Sequence, residues 1–313
     1  MKAITLKEIG SVENLAIADL PMPIPEPDEI LIEVKAISIN PSETYLRKDK
    51  TNHWIFGDDS PVILGWDVSG VVTVVGKNVS GFAVGDEVFG VIRHPGHGKA
   101  YAEYAVAPAA HMAHKPANVS HEQAAAATLA ALTALQPIQK VTIKPGQKVL
   151  ITGAGGGVGH FAVQLAKHFG AYVIALASGA RREFVLGLGA DDFIDYQTQR
   201  FEHLVSNVDL VIEAAKVDGH LLRSLEVVKP GGSLISLWSY ITADEAAKAS
   251  KLGVNAFFNM VLSSGKDMKV IAELLRSQAI VPHVSKVFRL AEVARAHAEI
   301  EKNHTQGKIV LIP

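Results

Sequence analysis

The chain has 313 residues, of which 30 are basic, 32 are acidic and none is cysteine. This length allows one large domain or two ordinary ones, and the balanced charge gives no electrostatic preference for nucleic acid or an anionic membrane. The lack of cysteine excludes disulfides, thiolate zinc sites and a cysteine nucleophile, and without an apolar run of ~18 residues or a signal-peptide pattern we expect a cytoplasmic protein.

The first 118 residues have the pattern of an all-β domain. Short runs of alternating apolar residues at 29–37, 68–75 and 87–92 are separated by turns rich in Pro and Gly. Alternation with a period of two predicts strands, and Pro and Gly mark the turns that join them. We therefore predict a first domain over residues 1–118.

From Ser120 onward, helical and strand patterns alternate. A helix rich in Ala and Leu is predicted over 121–136, with Ser120 and Gln123 as its capping box. Further strands are predicted at 193–196, 209–214, 233–238 and 254–258, with a tight turn at 229–232. Such alternation favours an α/β domain with a parallel, doubly wound sheet over 119–263. The remaining residues show helical runs at 266–276 and 291–301, with a closing strand at 308–312.

The segment 148–167 combines a buried strand, a glycine-rich turn and an amphipathic helix. A dinucleotide pyrophosphate binds at such a turn because free N–H groups and the positive dipole end of the helix face it. The fingerprint G-x-G-x-x-G has alanine in its first position here, which can serve if that residue keeps φ below zero. A glycine-rich loop without a ligand is the alternative. The residues expected to hold the pyrophosphate are Ala154, Gly156, Gly157, Val158 and Gly159.

The end of the following strand indicates which dinucleotide binds. An NAD site places Asp or Glu there, about 20 residues beyond the glycines, to bind the ribose 2′-hydroxyl. No acidic residue lies between Gly159 and Arg182 here, and the strand is followed by Ser178 and Arg181. A hydroxyl and a guanidinium suit a 2′-phosphate, so these residues predict NADPH. Alternatively, Arg181 and Arg182 only begin the next helix on its solvated face.

Two histidine pairs, His94 with His97 and His111 with His114, have spacing typical of metal ligands. A zinc site needs three or four ligands that converge in space, and no third partner is apparent near either pair. We therefore interpret these residues as histidines of surface loops and expect no metal.

Motifs along almost the whole chain are similar to those of a known family. In chain order they are Asn40–Tyr45 with Arg47, Gly65–Val71, Val84–Val88, Ala100–Tyr104, Leu132–Gln136, Ala154–Gly159 and Gly307–Leu311. The chain thereby resembles the zinc-independent medium-chain dehydrogenase/reductases, specifically quinone oxidoreductases of the zeta-crystallin type. The resemblance implies a GroES-like β-barrel from 1–118 completed by 264–313, a Rossmann domain over 119–263, an active site in the cleft between them, and a homo-oligomer such as a dimer.

The same resemblance implies roles for individual residues. The Asn40 amide and the Tyr45 hydroxyl would face the nicotinamide and stabilise negative charge on an acceptor oxygen. Thr133 would contact the nicotinamide end, and Tyr196 would add a hydroxyl to the 2′-phosphate site. Zinc-dependent members differ, since they have histidine and glutamate in place of Trp66 and Asp67 and a cysteine in the Asn40 region.

Each of these residues also has a structural interpretation. Asn40 before a proline could be an ordinary turn residue, and Tyr45 a packing side chain. Thr133 could bond its own helix backbone, and Tyr196 could simply end a strand.

Without a metal or a nucleophile, the nicotinamide must carry the chemistry. We expect an NADPH-dependent oxidoreductase that transfers hydride to quinones or other conjugated carbonyl acceptors. An enoyl-thioester or alkenal double-bond reductase would use the same fold and cofactor. A protein that binds NADPH for a structural or sensing role, without turnover, is the alternative from another class, because fold alone does not decide function.

Overall fold

The computed structural model describes all 313 residues, and they form two compact units. The first unit comprises Met1–Leu132 and Val261–Pro313, and the second comprises Thr133–Met260. No helix combines the length and the apolar character that crossing a membrane would require.

The first unit is built on a seven-stranded sheet and a two-stranded sheet. The strands are β1 Lys2–Leu6, β2 Leu15–Asp19, β3 Glu29–Ile39, β4 Asp67–Val75, β5 Glu87–Val91, β6 Tyr104–Pro108, β7 Met112–His114, β14 Val284–Arg289 and β15 Lys308–Ile312. The larger sheet has the order β14-β15-β3-β4-β5-β7, with β6 also paired to β3. The antiparallel pairing of β15 with β3 therefore brings the C-terminal strand next to the end of β3.

Four helices accompany these strands. They are α1 Pro41–Lys48, α2 His121–Ala126, α8 Gly265–Arg276 and α9 Val293–Ile300. Helix α1 follows β3 directly, because Asn40 and Glu43 form a capping box and Pro41 occupies the first turn, where its missing N–H costs nothing.

The helix predicted over 121–136 is interrupted in the structure. It ends at Ala126, and α3 Leu129–Val141 begins after a two-residue break. The N–H of Leu129 donates to the carboxylate of Asp67 at 3.1 Å instead of continuing the helical ladder, and the Thr128 hydroxyl donates to the carbonyl of Ala125 at 2.7 Å. The buried carboxylate of Asp67, at the start of β4, thus caps the start of α3.

The first unit extends beyond residue 118, the boundary that we expected. Ala125 and Ala126 of α2 pack in a buried cluster with Ala36 of β3 and Val310 of β15. Helix α2 therefore belongs to the first unit, because the apolar surface that it buries is supplied by the strands of that unit.

The second unit contains a six-stranded parallel sheet. Its strands are β8 Lys148–Thr152, β9 Tyr172–Ala177, β10 Asp192–Asp195, β11 Val208–Glu213, β12 Val228–Ser236 and β13 Asn255–Phe258. The helices between them are α4 Gly159–His168, α5 Arg182–Gly187, α6 His220–Val227 and α7 Ala243–Leu252. The strand order β10-β9-β8-β11-β12-β13 is that of a doubly wound dinucleotide-binding sheet, which confirms the predicted α/β class.

The tight turn predicted at 229–232 is wrong. These residues lie within β12, where the pairing with β11 shifts from Val208 with Val228 to Leu210 with Ser233. The extra residues form a bulge, and Gly231 within it has a φ of +80°. The Pro and Gly signal was therefore real, but it marks an irregularity inside a strand.

Candidate functional site

The glycine-rich loop joins β8 to α4. Gly153 takes the left-handed conformation with a φ of +60°, whereas Ala154 is not among the residues with positive φ, as its side chain requires. A Cβ on Gly159 would lie 2.1 Å from the carbonyl oxygen of Gly153, so the close contact between strand end and helix start requires glycine there. A Cβ on Gly156 would meet only that same oxygen, at 3.2 Å.

The start of α4 presents hydrogen-bond donors that the protein does not use. The N–H groups of Gly157, Val158 and Gly159 donate to no acceptor in the chain, whereas the N–H of His160 donates to Gly156 at 3.1 Å. These unused donors lie at the positive end of a ten-residue helix. The loop therefore fits the pyrophosphate of a dinucleotide, since such a group accepts several N–H hydrogen bonds.

Ser178 and Arg181 follow the end of β9. Ser178 caps the short 3-10 turn Gly179–Arg181 without a side-chain hydrogen bond. Arg181 is half-buried, and burial lowers the pKa of its guanidinium, while the nearby Tyr196 raises it. The stem of Arg181 packs on Gly155, so the structure brings Arg181, Tyr196 and the glycine loop together.

An acidic side chain near this site was missed in the sequence. Asp195 ends β10 and pairs in register with Ala177, the last residue of β9. Its carboxylate accepts from the N–H of Gln197 at 3.0 Å, and its other oxygen lies 2.6 Å from where a Cβ on Gly179 would stand. The sequence of β9 gives no sign of this acid, because the neighbouring parallel strand supplies it.

In the first unit, Asn40 lies in a buried polar network and is 6% exposed. Its amide nitrogen donates to the carboxylates of Asp67 at 2.9 Å and Glu43 at 3.3 Å. Its amide oxygen accepts from the ammonium of Lys308. Since the partners are two carboxylates and one ammonium, they fix the amide orientation and use both of its protons.

Lys308 is a second residue for which the sequence predicted no role in the site: its position in the closing strand indicates a charge at the strand edge, whereas the structure buries it. It is 3% exposed, and its ammonium also donates to the carbonyl of Ile39 at 2.9 Å and lies 3.9 Å from the Asp67 carboxylate. Burial lowers the pKa of Lys308 and raises that of Asp67, because both charged forms lose solvation. The sequence gives no local sign of this burial, which results from the pairing of β15 with β3.

Glu43 extends the network to two further side chains. Burial, reinforced by the Asp67 carboxylate, raises the pKa of Glu43 to about 8. The Tyr101 hydroxyl donates to Glu43 at 2.9 Å and lies 3.0 Å from His297 Nε2. Burial lowers the pKa of His297 to about 3, which favours the neutral ring.

Tyr45 and Thr133 occupy different environments. Tyr45 lies on α1 and is 41% exposed, whereas Thr133 lies within α3 and is 8% exposed. Asn40 precedes α1 as its N-cap and has extended backbone, with φ −127° and ψ 153°. The structure therefore places Asn40 in the buried network and Tyr45 at an exposed position of the helix.

The paired histidines have protein partners. His94 Nδ1 donates to Val261 at 3.0 Å, and His97 bonds the Asp59 carboxylate at 2.8 Å and the Ile63 carbonyl at 2.8 Å. His97 is buried, so its interpretation as a surface histidine was wrong. No three His, Cys, Asp or Glu side chains converge where they could hold a metal ion.

Comparison with known proteins agrees with this architecture. An alcohol dehydrogenase GroES-like domain matches residues 26–117, an alanine dehydrogenase/PNT C-terminal domain matches 122–226, and a zinc-binding dehydrogenase domain matches 188–311. The first match confirms the GroES-like fold that was predicted for the N-terminal part of the chain.

Several proteins are similar to this chain over its full length. A 2-methylene-furan-3-one reductase of Solanum lycopersicum is 33% identical over all of this chain and 79% of its own length. An NADPH-dependent alkenal/one oxidoreductase of Arabidopsis thaliana is 32% identical over all of this chain and 80% of its own. The solved quinone oxidoreductase of Coxiella burnetii is 31% identical with a TM-score of 0.94, covering all of this chain and 99% of that one.

A doubly wound sheet with an open glycine loop, joined in one chain to a GroES-like unit, defines an oxidoreductase that uses a nicotinamide dinucleotide. The chain belongs to the medium-chain dehydrogenase/reductase family, together with the quinone oxidoreductase-like relatives above.

Proposed function

We propose that this enzyme is an NADPH-dependent reductase that transfers hydride to quinones or other conjugated carbonyl acceptors without a metal. The observation that carries the proposal is the row of unused N–H donors at the start of α4 beside Arg181. The guanidinium of Arg181 has no hydrogen bond or ion pair within the chain and is half-buried. Its position suits a phosphate that arrives with the cofactor.

Each part of the loop has a binding role in this proposal. Gly157, Val158 and Gly159 donate N–H groups to the pyrophosphate, and Gly153, Ala154 and Gly156 keep the backbone open to it. Arg181 binds the 2′-phosphate together with the hydroxyls of Ser178 and Tyr196, and Thr133 lies toward the nicotinamide. The reduced nicotinamide, when bound, supplies the hydride.

The roles of Asn40 and Tyr45 differ in this proposal. Both amide protons of Asn40 are donated to Asp67 and Glu43, so we assign Asn40 to positioning the start of α1. The Tyr45 hydroxyl, on the more exposed face of that helix, is the better candidate to donate to an acceptor oxygen. Neither role needs a metal, and the Lys308 ammonium supplies the cation of the buried network.

The names of the relatives support this acceptor class, since they describe a furanone reductase, an alkenal/one oxidoreductase and a quinone oxidoreductase. Conjugated carbonyl compounds and quinones are electron-poor, and both develop negative charge on oxygen as hydride arrives. We also infer a homo-oligomer, a dimer in the simplest case, and a cytoplasmic location from the family resemblance and the sequence.

The test is NADPH oxidation by the purified protein with a benzoquinone, a naphthoquinone, a conjugated enal and an enoyl thioester, with NADH as the control. The proposal predicts turnover with NADPH and a quinone or the enal. Preference for the enoyl thioester would favour the double-bond reductase alternative. Tight NADPH binding without turnover of any acceptor would favour the non-catalytic alternative.

A further inference from the structure

At Gly155, in the loop at 153–157, the absent side chain makes room for a charged residue. The three atoms nearest to a Cβ built on Gly155 all belong to Arg181, namely Cδ at 2.6 Å, Cβ at 3.4 Å and Cγ at 3.5 Å. The corresponding contacts of Gly153 and Gly156 are with backbone atoms. The side chain of Arg181 therefore lies flat on the backbone of the loop.

Backbone conformation does not explain the glycine. The φ of Gly155 is outside the left-handed region, whereas Gly153 has a φ of +60° and needs glycine for that reason. An alanine at 155 would fit its backbone, and only the Arg181 stem would have to move. Glycine at this position is thus accounted for by the arginine that packs on it.

The position of Arg181 has an energetic consequence. A half-buried guanidinium without a hydrogen-bond partner loses solvation, which is reflected in the lowered pKa of Arg181. A side chain already fixed by packing loses less conformational entropy when an anion binds. Arg181 is therefore pre-organised by Gly155 to accept an anionic ligand.

We propose that Gly155 is a specificity-determining position, which holds Arg181 against the loop so that the guanidinium meets the 2′-phosphate of NADPH. This inference rests on the proposed NADPH function. Gly155 acts through Arg181 and is a positioning residue, so its replacement lowers the preference for NADPH over NADH.

The experiment measures dissociation constants of NADPH and NADH for wild type, Gly155→Ala, Arg181→Ala and the double variant by titration calorimetry. A charge-assisted hydrogen bond contributes enough that its loss weakens binding at least about tenfold. We expect this loss for NADPH in Gly155→Ala, with NADH affinity changed less than about twofold. In the Arg181→Ala background, Gly155→Ala should not weaken NADPH binding further, because the arginine side chain that it would displace is already absent.

Gly187→Ala is the matched control, since no atom lies within 4 Å of a Cβ built there, and it should bind both cofactors as wild type does. Equal loss of NADPH and NADH in Gly155→Ala, or no loss of either, would overturn the proposal. If Arg181→Ala leaves NADPH affinity unchanged, the 2′-phosphate assignment itself fails. Crystal structures of cofactor-free Gly155→Ala then decide the remaining point: a displaced Arg181 supports the packing role of Gly155, and an unmoved Arg181 refutes it.

Discussion

Replacing Lys308 with methionine tests the buried network of the first unit. Methionine keeps the length and apolar stem of lysine and removes only the ammonium. The change deletes the hydrogen bonds to the Ile39 carbonyl and the Asn40 amide oxygen. It also leaves the Asp67 carboxylate, which is fully buried, without the cation that lies 3.9 Å away.

The expected loss of unfolding free energy is large. Two hydrogen bonds from a charged donor contribute about 1.5–3 kcal/mol each, and removal of one partner of a buried ion pair costs about 3–5 kcal/mol. These estimates describe the same atoms, so we expect about 3–5 kcal/mol in total. Urea unfolding followed by tryptophan fluorescence measures this loss of unfolding free energy. The measurement uses a Trp238→Phe background, because that change removes the tryptophan of the second unit and leaves the signal to the first unit, which contains the buried Trp66.

Two controls separate this effect from general damage. Lys286→Met removes a half-exposed lysine paired with Glu299, so it should cost less than about 1 kcal/mol. Adding Asp67→Asn to Lys308→Met should cost less than the sum of the single changes, because no buried charge is then left without a partner. Unchanged stability of Lys308→Met, or strict additivity in the double variant, would show that Lys308 does not stabilise the buried Asp67 carboxylate.

Four further predictions concern the cofactor loop, the network and metal content. Gly156→Val should abolish binding of both NADPH and NADH, because the side chain would cover the open face of the loop. Normal NADPH affinity of this variant in calorimetry would contradict the assignment of the loop to the cofactor pyrophosphate. Arg181→Ala should weaken NADPH by ~1.5–3 kcal/mol and spare NADH, and equal losses would contradict the 2′-phosphate assignment. The pKa of Glu43 is raised from 4.5 to about 8 in the folded protein. The stability that this group contributes is therefore fully present below pH 4.5 and is lost as pH rises through about 8. Urea midpoints measured between pH 6 and 9 should fall in wild type, and they should fall less steeply in Glu43→Gln. Elemental analysis should find no stoichiometric zinc, and one tightly held zinc per chain would overturn the metal-free assignment.

The features predicted from the sequence are those with a local physical cause. The turn at Gly153–Gly159 was recognised because a strand, glycines at fixed spacing and an amphipathic helix occur together within 20 residues. The parallel sheet followed from the alternation of strand and helix periods. The capping box of Ser120 and Gln123 also formed as predicted, since it involves residues three positions apart.

The features that were missed depend on residues far apart in the chain. Lys308 is buried because β15 pairs with β3, more than 260 residues earlier, and nothing near Lys308 in the sequence signals this. Asp195 reaches the end of β9 through a neighbouring strand. The break in the predicted helix at 127–128 is caused by Asp67, a residue about 60 positions upstream.

The proposed reaction is hydride transfer from bound NADPH to a conjugated acceptor. Single-turnover oxidation of NADPH that carries deuterium at both C4 positions tests it, with whichever quinone or enal of the acceptor panel is reduced fastest. We expect oxidation that depends on the acceptor and is slower with the deuterated cofactor, because the C4–H bond is broken in the step observed. NADPH that binds but is not oxidised by any acceptor would contradict it.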